Sequence, residues 1–128
     1  MIETLVNGTD EQQLSMMRRF RELISTKLER DLIIRTGLVP KFVEFVQRDE
    51  FYLQLEACWA LINLTSGNSL QTKCVVEAGA VPVLVKLLSS PSENVQMEAV
   101  WCLGNIAGDG PECRDLVIDH GILAPLLQ

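Results

Sequence analysis

Apolar residues along most of the chain recur every three or four positions, the spacing that places them on one face of an α-helix. In residues 93–107, for example, Val95, Ala99, Leu103 and Ile106 follow this spacing. The same reasoning predicts seven further helices, at about residues 10–25, 29–36, 39–47, 52–66, 70–78, 82–88 and 112–119. Partial helices are predicted at residues 2–6 and from about residue 122. No strand pattern occurs, so the fold class is predicted to be all-α.

A period of 42 residues runs through these helices. Trp59 is followed four residues later by Asn63, and 42 residues after Trp59 the chain repeats the pair as Trp101 and Asn105. The motif Gly-Leu-Val-Pro at residue 37 recurs as Gly-Ala-Val-Pro at residue 79, and a similar motif begins at residue 121. Periods of about 40 to 47 residues are typical of armadillo and HEAT solenoids, in which each repeat has two or three helices.

Turn-forming residues mark the helix boundaries inside one repeat. Gly79 suits the left-handed conformation that ends many helices, and Pro82 suits the first turn of the next helix. Ser90 or Ser92 suits the N-cap of the third helix. One repeat therefore has a short, a middle and a long helix. We predict a single domain over residues 1–128, with repeats at 1–26 (partial), 27–67, 68–109 and 110–128 (partial).

The composition narrows the classes of function. The formal net charge of −6 argues against a nucleic-acid surface and suits a basic partner. No apolar run approaches the roughly 18 residues needed to span a bilayer, and no signal peptide is found, so we expect an intracellular chain without a membrane contact. The four cysteines form no CxxC pair, and no metal, phosphate-loop or nucleophile motif occurs. No enzyme activity, cofactor or metal is therefore expected.

The repeated Trp and Asn side chains predict a peptide-binding surface. Residues i and i+4 share a helix face, so each Trp points the same way as its Asn. Helices pack roughly 10 Å apart, which is about three residues of an extended peptide. The carboxamides of Asn63 and Asn105 are expected to bond the peptide backbone. The indoles of Trp59 and Trp101 are expected to stand parallel and form slots for Lys stems, with cation–π attraction of about 0.5 to 2 kcal/mol each.

The wider sequence around these pairs resembles the importin alpha (karyopherin alpha) family. The segments EACWALINLTSGN and AVWCLGNIAGDG are similar to the third helices of its repeats, and GLVPKFVEF, SGNSLQTKCVVEAGAVP and CRDLVIDHGILAPLL are similar to the helices between them. The resemblance runs from about residue 11 to the end. It implies a right-handed armadillo superhelix whose groove binds Lys/Arg-rich nuclear localisation signals, and a protein of the cytoplasm and nucleus.

The resemblance also assigns roles to further residues. By this comparison, Asp109 pairs with the most tightly held lysine of the signal, while Gly67 and Thr72 contact that lysine through a carbonyl and a hydroxyl. Glu98 stands where the family usually has Gln, which replaces an amide donor with a negative charge. The basic segment through which the family binds importin beta is not found in this sequence, so that partner is expected only through a segment missing here.

The first long helix departs from the Trp and Asn pattern. Aligning QLSMMRRFRELIST with QLEACWALINLTSG places Arg18 at a Trp position and Glu22 at an Asn position. Arg18, together with Lys27 at a position that is usually acidic in the family, is expected to weaken cation binding at that end of the groove.

Less specific interpretations of these residues stay open. Each Trp could be a core residue beside an unrelated Asn. Asp109 could be a turn or N-cap residue, Thr72 could satisfy a helix terminus, and the carboxylates of Glu56 and Glu98 could be solvated. The alternative function is a scaffold without peptide binding that self-associates through its ends, because the terminal repeats of a solenoid expose apolar faces unless capped. On the same ground we expect the chain to be a piece of a longer solenoid.

Overall fold

The computed structural model describes residues 7–23 and 27–119, and within them the protein is built from α-helices without strands. Eight helices have their bounds within this described part: α1 (Asp10–Leu23), α2 (Lys27–Arg35), α3 (Val39–Phe45), α4 (Phe51–Thr65), α5 (Ser69–Glu77), α6 (Ala80–Leu87), α7 (Glu93–Ala107) and α8 (Pro111–Asp119). The order short, middle, long occurs twice, as α2–α3–α4 and α5–α6–α7. The all-α prediction is therefore confirmed, while the helical segments predicted at residues 2–6 and from residue 122 lie outside the described part.

Most predicted helix boundaries differ from the observed ones by one or two residues, and the start of α6 shows why. Gly79 has a φ of +86°, a left-handed conformation that ends α5 and redirects the chain at once. Helix α6 therefore begins at Ala80, two residues before the predicted start at Pro82. Proline is tolerated there because the first turn of a helix has no internal partner for its N–H groups.

Side-chain caps fix the start of two other helices. Ser92 is the N-cap of α7, where its hydroxyl accepts a hydrogen bond from the Val95 N–H at 3.4 Å. Asn68 caps α5 by accepting from the Gln71 N–H at 2.9 Å, and the Gln71 side chain accepts from the Asn68 N–H at 3.0 Å. This reciprocal capping box satisfies two backbone donors that the helix leaves open.

The long helices form one row, in which α1 packs on α4 and α4 packs on α7. The short helices α2 and α5 pack on each other beside this row. Apolar side chains fill the space between the helices; the largest fully buried ones include Phe42, Phe45, Leu53, Leu61, Leu64, Leu84, Leu103 and Ile106. Burying each such side chain contributes about 1.5 to 3 kcal/mol. The packing of α4 against both α1 and α7 places the faces of three long helices side by side.

A buried glutamine links the two complete repeats. Gln71 is only 1% exposed. Its Oε1 accepts from the Arg30 Nε–H at 3.2 Å, and its Nε2 donates to Asp31 Oδ1 at 2.9 Å. A Cβ atom on Gly67 would lie 1.7 Å from Gln71 Oε1, so only glycine leaves room for this side chain. The bonds from Gln71 in α5 to two residues of α2 fix the register of the second repeat on the first.

None of the helices in the described part is both long enough and apolar enough to cross a lipid bilayer.

Candidate functional site

Trp59 and Trp101 lie next to each other on one exposed face of the row of long helices. They occupy equivalent positions in α4 and α7, and their ring centroids are 5.9 Å apart. Trp59 is 37% exposed and Trp101 is 53% exposed. Indole rings are seldom left this exposed to water, because burying an aromatic ring is strongly favourable. An exposed pair of indoles therefore indicates an interaction surface. The interpretation of these residues as core tryptophans is therefore wrong.

The two indoles do not form the parallel walls that the sequence predicted. Their planes are inclined by 65°, and the edge of one ring meets the other. Rings in edge contact leave no space between them for a lysine stem, so the prediction of an open slot is wrong for this structure. The physical reason is that the aromatic quadrupole favours edge-to-face pairs, and the contact also removes apolar surface from water.

Asn105 makes contacts within the protein that the sequence did not predict. Its Nδ2 donates to the Ile62 carbonyl at 3.4 Å and to Thr65 Oγ1 at 3.3 Å, so the amide nitrogen joins α7 to α4. Within residues 7–23 and 27–119, no hydrogen bond reaches the Oδ1 atom of Asn105. The side chain therefore offers a ligand an acceptor, whereas both a donor and an acceptor were expected. Asn63 is half-buried, one helical turn after Trp59 on α4.

Asp109 lies in the turn between α7 and α8, with its carboxylate partly exposed. The hydroxyl of Ser69 donates to Asp109 Oδ2 at 2.9 Å, and the Cys113 thiol approaches the same oxygen at 3.7 Å. Because Ser69 is the first residue of α5 and Cys113 lies in α8, the carboxylate joins the starts of two short helices. Asp109 is therefore a turn residue, which is one of the roles considered from the sequence. Its carboxylate also remains accessible from solvent.

Thr72 is not part of the exposed surface. It is 1% exposed, and its hydroxyl donates to the carbonyls of Thr65 and Asn68, both at 3.2 Å. The expectation that this hydroxyl contacts a ligand is therefore wrong, because the hydroxyl serves the junction of α4 and α5. Gly67, in the same junction, is half-buried beside Gln71.

Two glutamates lie one helical turn before the tryptophans. Glu98 precedes Trp101 by three residues and is half-buried. Burial first, and then the negative charge of Glu98, raise the pKa of the Cys58 thiol on the neighbouring helix. Glu56 precedes Trp59 by three residues, and its Oε1 lies 3.6 Å from Arg18 Nε in α1. The carboxylates add negative potential beside both rings, and part of that potential is already compensated by Arg18.

Sequence reasoning missed three polar residues at the junction of α4 and α5. Asn68 and Gln71 form the capping box, and Ser69 holds Asp109. The signal that was available is the pair Asn68 and Gln71, since an N-cap residue followed three positions later by Glu or Gln is typical of a capping box.

Comparison with known proteins agrees with this architecture. Residues 26–66 and 68–108 match the Armadillo/beta-catenin-like repeat family. Importin subunit alpha-1b of Oryza sativa subsp. japonica is 51% identical over 131 residues, which cover 100% of this chain and 24% of that protein. Importin subunit alpha-3 of Caenorhabditis elegans is 55% identical over 119 residues, which cover 91% of this chain and 23% of that protein. The chain thus spans about a quarter of the length of these relatives.

A solved structure shares the fold. A designed armadillo repeat protein in complex with the peptide (KR)4 superposes with a TM-score of 0.92 and 32% identity, covering 98% of this chain and 53% of that chain. The predicted armadillo architecture is confirmed by this match and by the family match. The chain belongs to the armadillo/beta-catenin-like repeat family and is similar along its whole length to importin alpha subunits.

Proposed function

We propose that the exposed face of α4 and α7 binds Lys/Arg-rich nuclear localisation peptides, and that the protein acts as a noncatalytic nuclear import adaptor. The observation that carries this proposal is the exposed contact of Trp59 with Trp101 at equivalent positions of two stacked helices. A patch of two indoles flanked by carboxylates suits a ligand that combines long aliphatic stems with positive charges. Lysine and arginine are the residues with both properties.

The comparisons support the same ligand class. The two relatives match along 100% and 91% of the chain and are named importin alpha subunits, and the designed armadillo structure holds a peptide of alternating Lys and Arg. From this likeness we propose the cytoplasm and nucleus as the location of the protein. Contact with importin beta is proposed only through a segment outside this sequence. We also propose the repeat boundaries that the sequence predicts, with complete repeats at residues 27–67 and 68–109.

In the proposed complex, one indole rotates away from the other and a cationic stem enters between Trp59 and Trp101. Each ring face then attracts the charge by about 0.5 to 2 kcal/mol. The edge contact between the rings is lost at the same time, and such a contact is worth about 0.5 to 1.5 kcal/mol. The gain therefore exceeds the loss most clearly when the ligand cation contacts both rings or also reaches a carboxylate.

The remaining polar groups hold the ligand from its two sides. Glu98, three residues before Trp101, and Asp109, in the turn after α7, are proposed to supply negative charge, and the Gly67 carbonyl is proposed as a further acceptor. Asn105 Oδ1 accepts from a peptide N–H, and Asn63 is proposed to bond the peptide backbone one repeat earlier. Contacts to the backbone do not depend on the peptide sequence, so the rings and carboxylates give the preference for Lys and Arg.

Titration with the octapeptide (KR)4 tests this function. Tryptophan fluorescence should change saturably because the ring contact opens, and the anisotropy of labelled peptide should rise with the same midpoint. A peptide with Gln in place of every Lys and Arg is the matched control and should not bind. Equal binding of both peptides, or binding of neither, would reject the proposal. Light scattering that shows oligomers without peptide binding would favour the scaffold alternative.

A further inference from the structure

Arg18 occupies in α1 the position that Trp59 occupies in α4. The register follows from burial, since Met17 and Phe20 are buried in α1 just as Cys58 and Leu61 are buried in α4. Residue 18 therefore corresponds to residue 59, which agrees with the sequence alignment. Because α1 packs directly on α4, Arg18 is the next member of the row that contains the two tryptophans.

The guanidinium of Arg18 is directed at the acidic group beside Trp59. Arg18 Nε lies 3.6 Å from Glu56 Oε1, with the Arg18 side chain 50% exposed and the Glu56 side chain 15% exposed. Glu56 shares a helix face with Trp59 because three residues separate them. Arg18 thus pairs with the Glu56 carboxylate, with which a ligand cation at this position would otherwise pair.

We propose that Arg18 is a specificity-determining residue that ends the cation-binding part of the groove at Trp59. This inference rests on the proposed function of the groove. Arg18 compensates the Glu56 carboxylate and repels a second positive charge on the α1 side of Trp59. A ligand therefore gains from a Lys or Arg between the two indoles, but loses from one that lies over α1, where a neutral residue is preferred.

The expected size of this effect follows from the exposure of the pair. A half-exposed guanidinium is well screened, and exposed ion pairs are worth about 0 to 1 kcal/mol. Removing the charge also removes repulsion of the incoming cation. Together these changes should strengthen binding of (KR)4 about three- to tenfold at about 0.05 M salt, and less at about 0.2 M salt, where the Debye length is shorter.

The test compares Arg18→Gln with Arg19→Gln. Arg19 is exposed and adjacent in α1, but its side chain points about 100° away around the helix. Both variants remove one positive charge, so they separate a local effect from a change in net charge. We expect (KR)4 affinity to rise about three- to tenfold for Arg18→Gln and to stay within about twofold of wild type for Arg19→Gln.

Two further measurements connect the effect to Glu56 and to the length of the groove. The double variant Arg18→Gln/Glu56→Gln should lose the gain, because the negative charge of Glu56 is then absent. The affinity ratio of (KR)4 to (KR)2 should be larger for Arg18→Gln than for wild type, since a longer peptide can then extend over α1. Arg18→Met, which keeps an aliphatic stem, should behave as Arg18→Gln and controls for lost packing.

The outcomes separate this inference from the proposed function. If wild type binds (KR)4 and the Arg18 and Arg19 variants bind equally, the inference is rejected and the proposed function stands. If wild type does not bind but Arg18→Gln does, the inference is supported and peptide binding by this chain is rejected. If neither binds, both are rejected.

Discussion

The carboxamide nitrogen of Asn105 lies 3.3 Å from the hydroxyl oxygen of Thr65, so a side chain expected to hold a ligand also joins two helices. Thr65 is buried, and its hydroxyl donates to the Leu61 carbonyl at 2.9 Å, which leaves the oxygen lone pairs for Asn105. The amide therefore completes a short chain of hydrogen bonds between α7 and the end of α4. Stability and the proposed recognition of a peptide therefore depend on the same residue.

Replacing Asn105 should affect both properties. Asn105→Ala removes two donors to α4, and we expect the free energy of unfolding to fall by about 1 to 2 kcal/mol, together with weaker (KR)4 binding. Urea unfolding followed by circular dichroism measures the first effect and peptide anisotropy the second. Asn94→Ala, at an exposed position in the first turn of α7, is the control and should change stability by less than about 0.5 kcal/mol. Unchanged stability of Asn105→Ala would show that the bonds to α4 contribute nothing.

Charge reversal at Asp109 should abolish binding of a basic peptide. Asp109→Lys replaces the carboxylate in the turn after α7 with a cation, whereas Asp119→Lys makes the same charge change at the exposed end of α8. We expect no measurable (KR)4 binding for the first variant and no more than about a threefold loss for the second, because screening limits distant charges. Equal losses in the two variants would show that only net charge matters. Unchanged affinity of Asp109→Lys would reject the proposed counter-charge role.

Two glycines in the chain should respond oppositely to a methyl group. In Gly67→Ala the new Cβ meets Gln71 Oε1 at 1.7 Å, so the buried glutamine must leave its partners. We expect a loss of about 2 to 3 kcal/mol in the free energy of unfolding, the range for a disrupted buried polar group. In Gly104→Ala the Cβ meets nothing within 4 Å, and the residue lies inside α7. That variant should gain about 0.5 to 1 kcal/mol from helix propensity. Thermal unfolding of both proteins checks the sign of each change.

The buried thiols should make the protein less stable at high pH. Burial raises the pKa of Cys102 to about 12, partly offset by its hydrogen bond with Thr65. An unfolded thiol ionises near pH 8.5. Between these values the unfolded chain has released a proton that the folded protein retains, so stability is full below about pH 8.5 and falls as the pH rises towards 12. The limiting slope is about 1.4 kcal/mol per pH unit for each thiol.

Urea unfolding at several pH values from about 8 to about 10 measures this dependence. The Cys102→Ala variant is the control for all other pH-dependent effects, which it shares with wild type. Its stability should fall less steeply with pH, because one buried thiol is missing. Identical slopes in the two proteins would contradict the role of Cys102.

The sequence was sufficient for the helices because local signals determined them. Helix α7 has the predicted bounds Glu93–Ala107, since Ser92 supplies its cap and a regular apolar spacing continues to the end. Helix α6 began earlier than predicted because the left-handed Gly79 can start the next helix without a spacer. Each of these helix boundaries is determined by residues that are close together in the chain, and sequence patterns describe such short-range effects.

The side-chain arrangement of the candidate site was less predictable. The period placed Trp59 beside Trp101, but the 65° angle between the rings depends on a contact between side chains from different repeats. Similarly, nothing in the residues around Thr72 shows that its hydroxyl faces the Thr65 carbonyl in the junction. Contacts between repeats depend on how two helices are positioned relative to each other. The spacing of residues along one helix does not determine that position.

The buried Gln71 has a consequence for how such repeats can be exchanged. Its partners Arg30 and Asp31 correspond, 42 residues later, to Thr72 and Lys73, and Gln71 itself corresponds to Cys113. The side chains that bond across the interface between α2 and α5 are thus replaced by other residue types at the interface between α5 and α8. In a recombinant chain with its two complete repeats in reversed order, the repeat with Gln71 would no longer follow the repeat with Arg30 and Asp31, so the carboxamide would lose both partners. The two complete repeats have the same succession of helices, yet the polar contacts of each one suit only its own position in the chain.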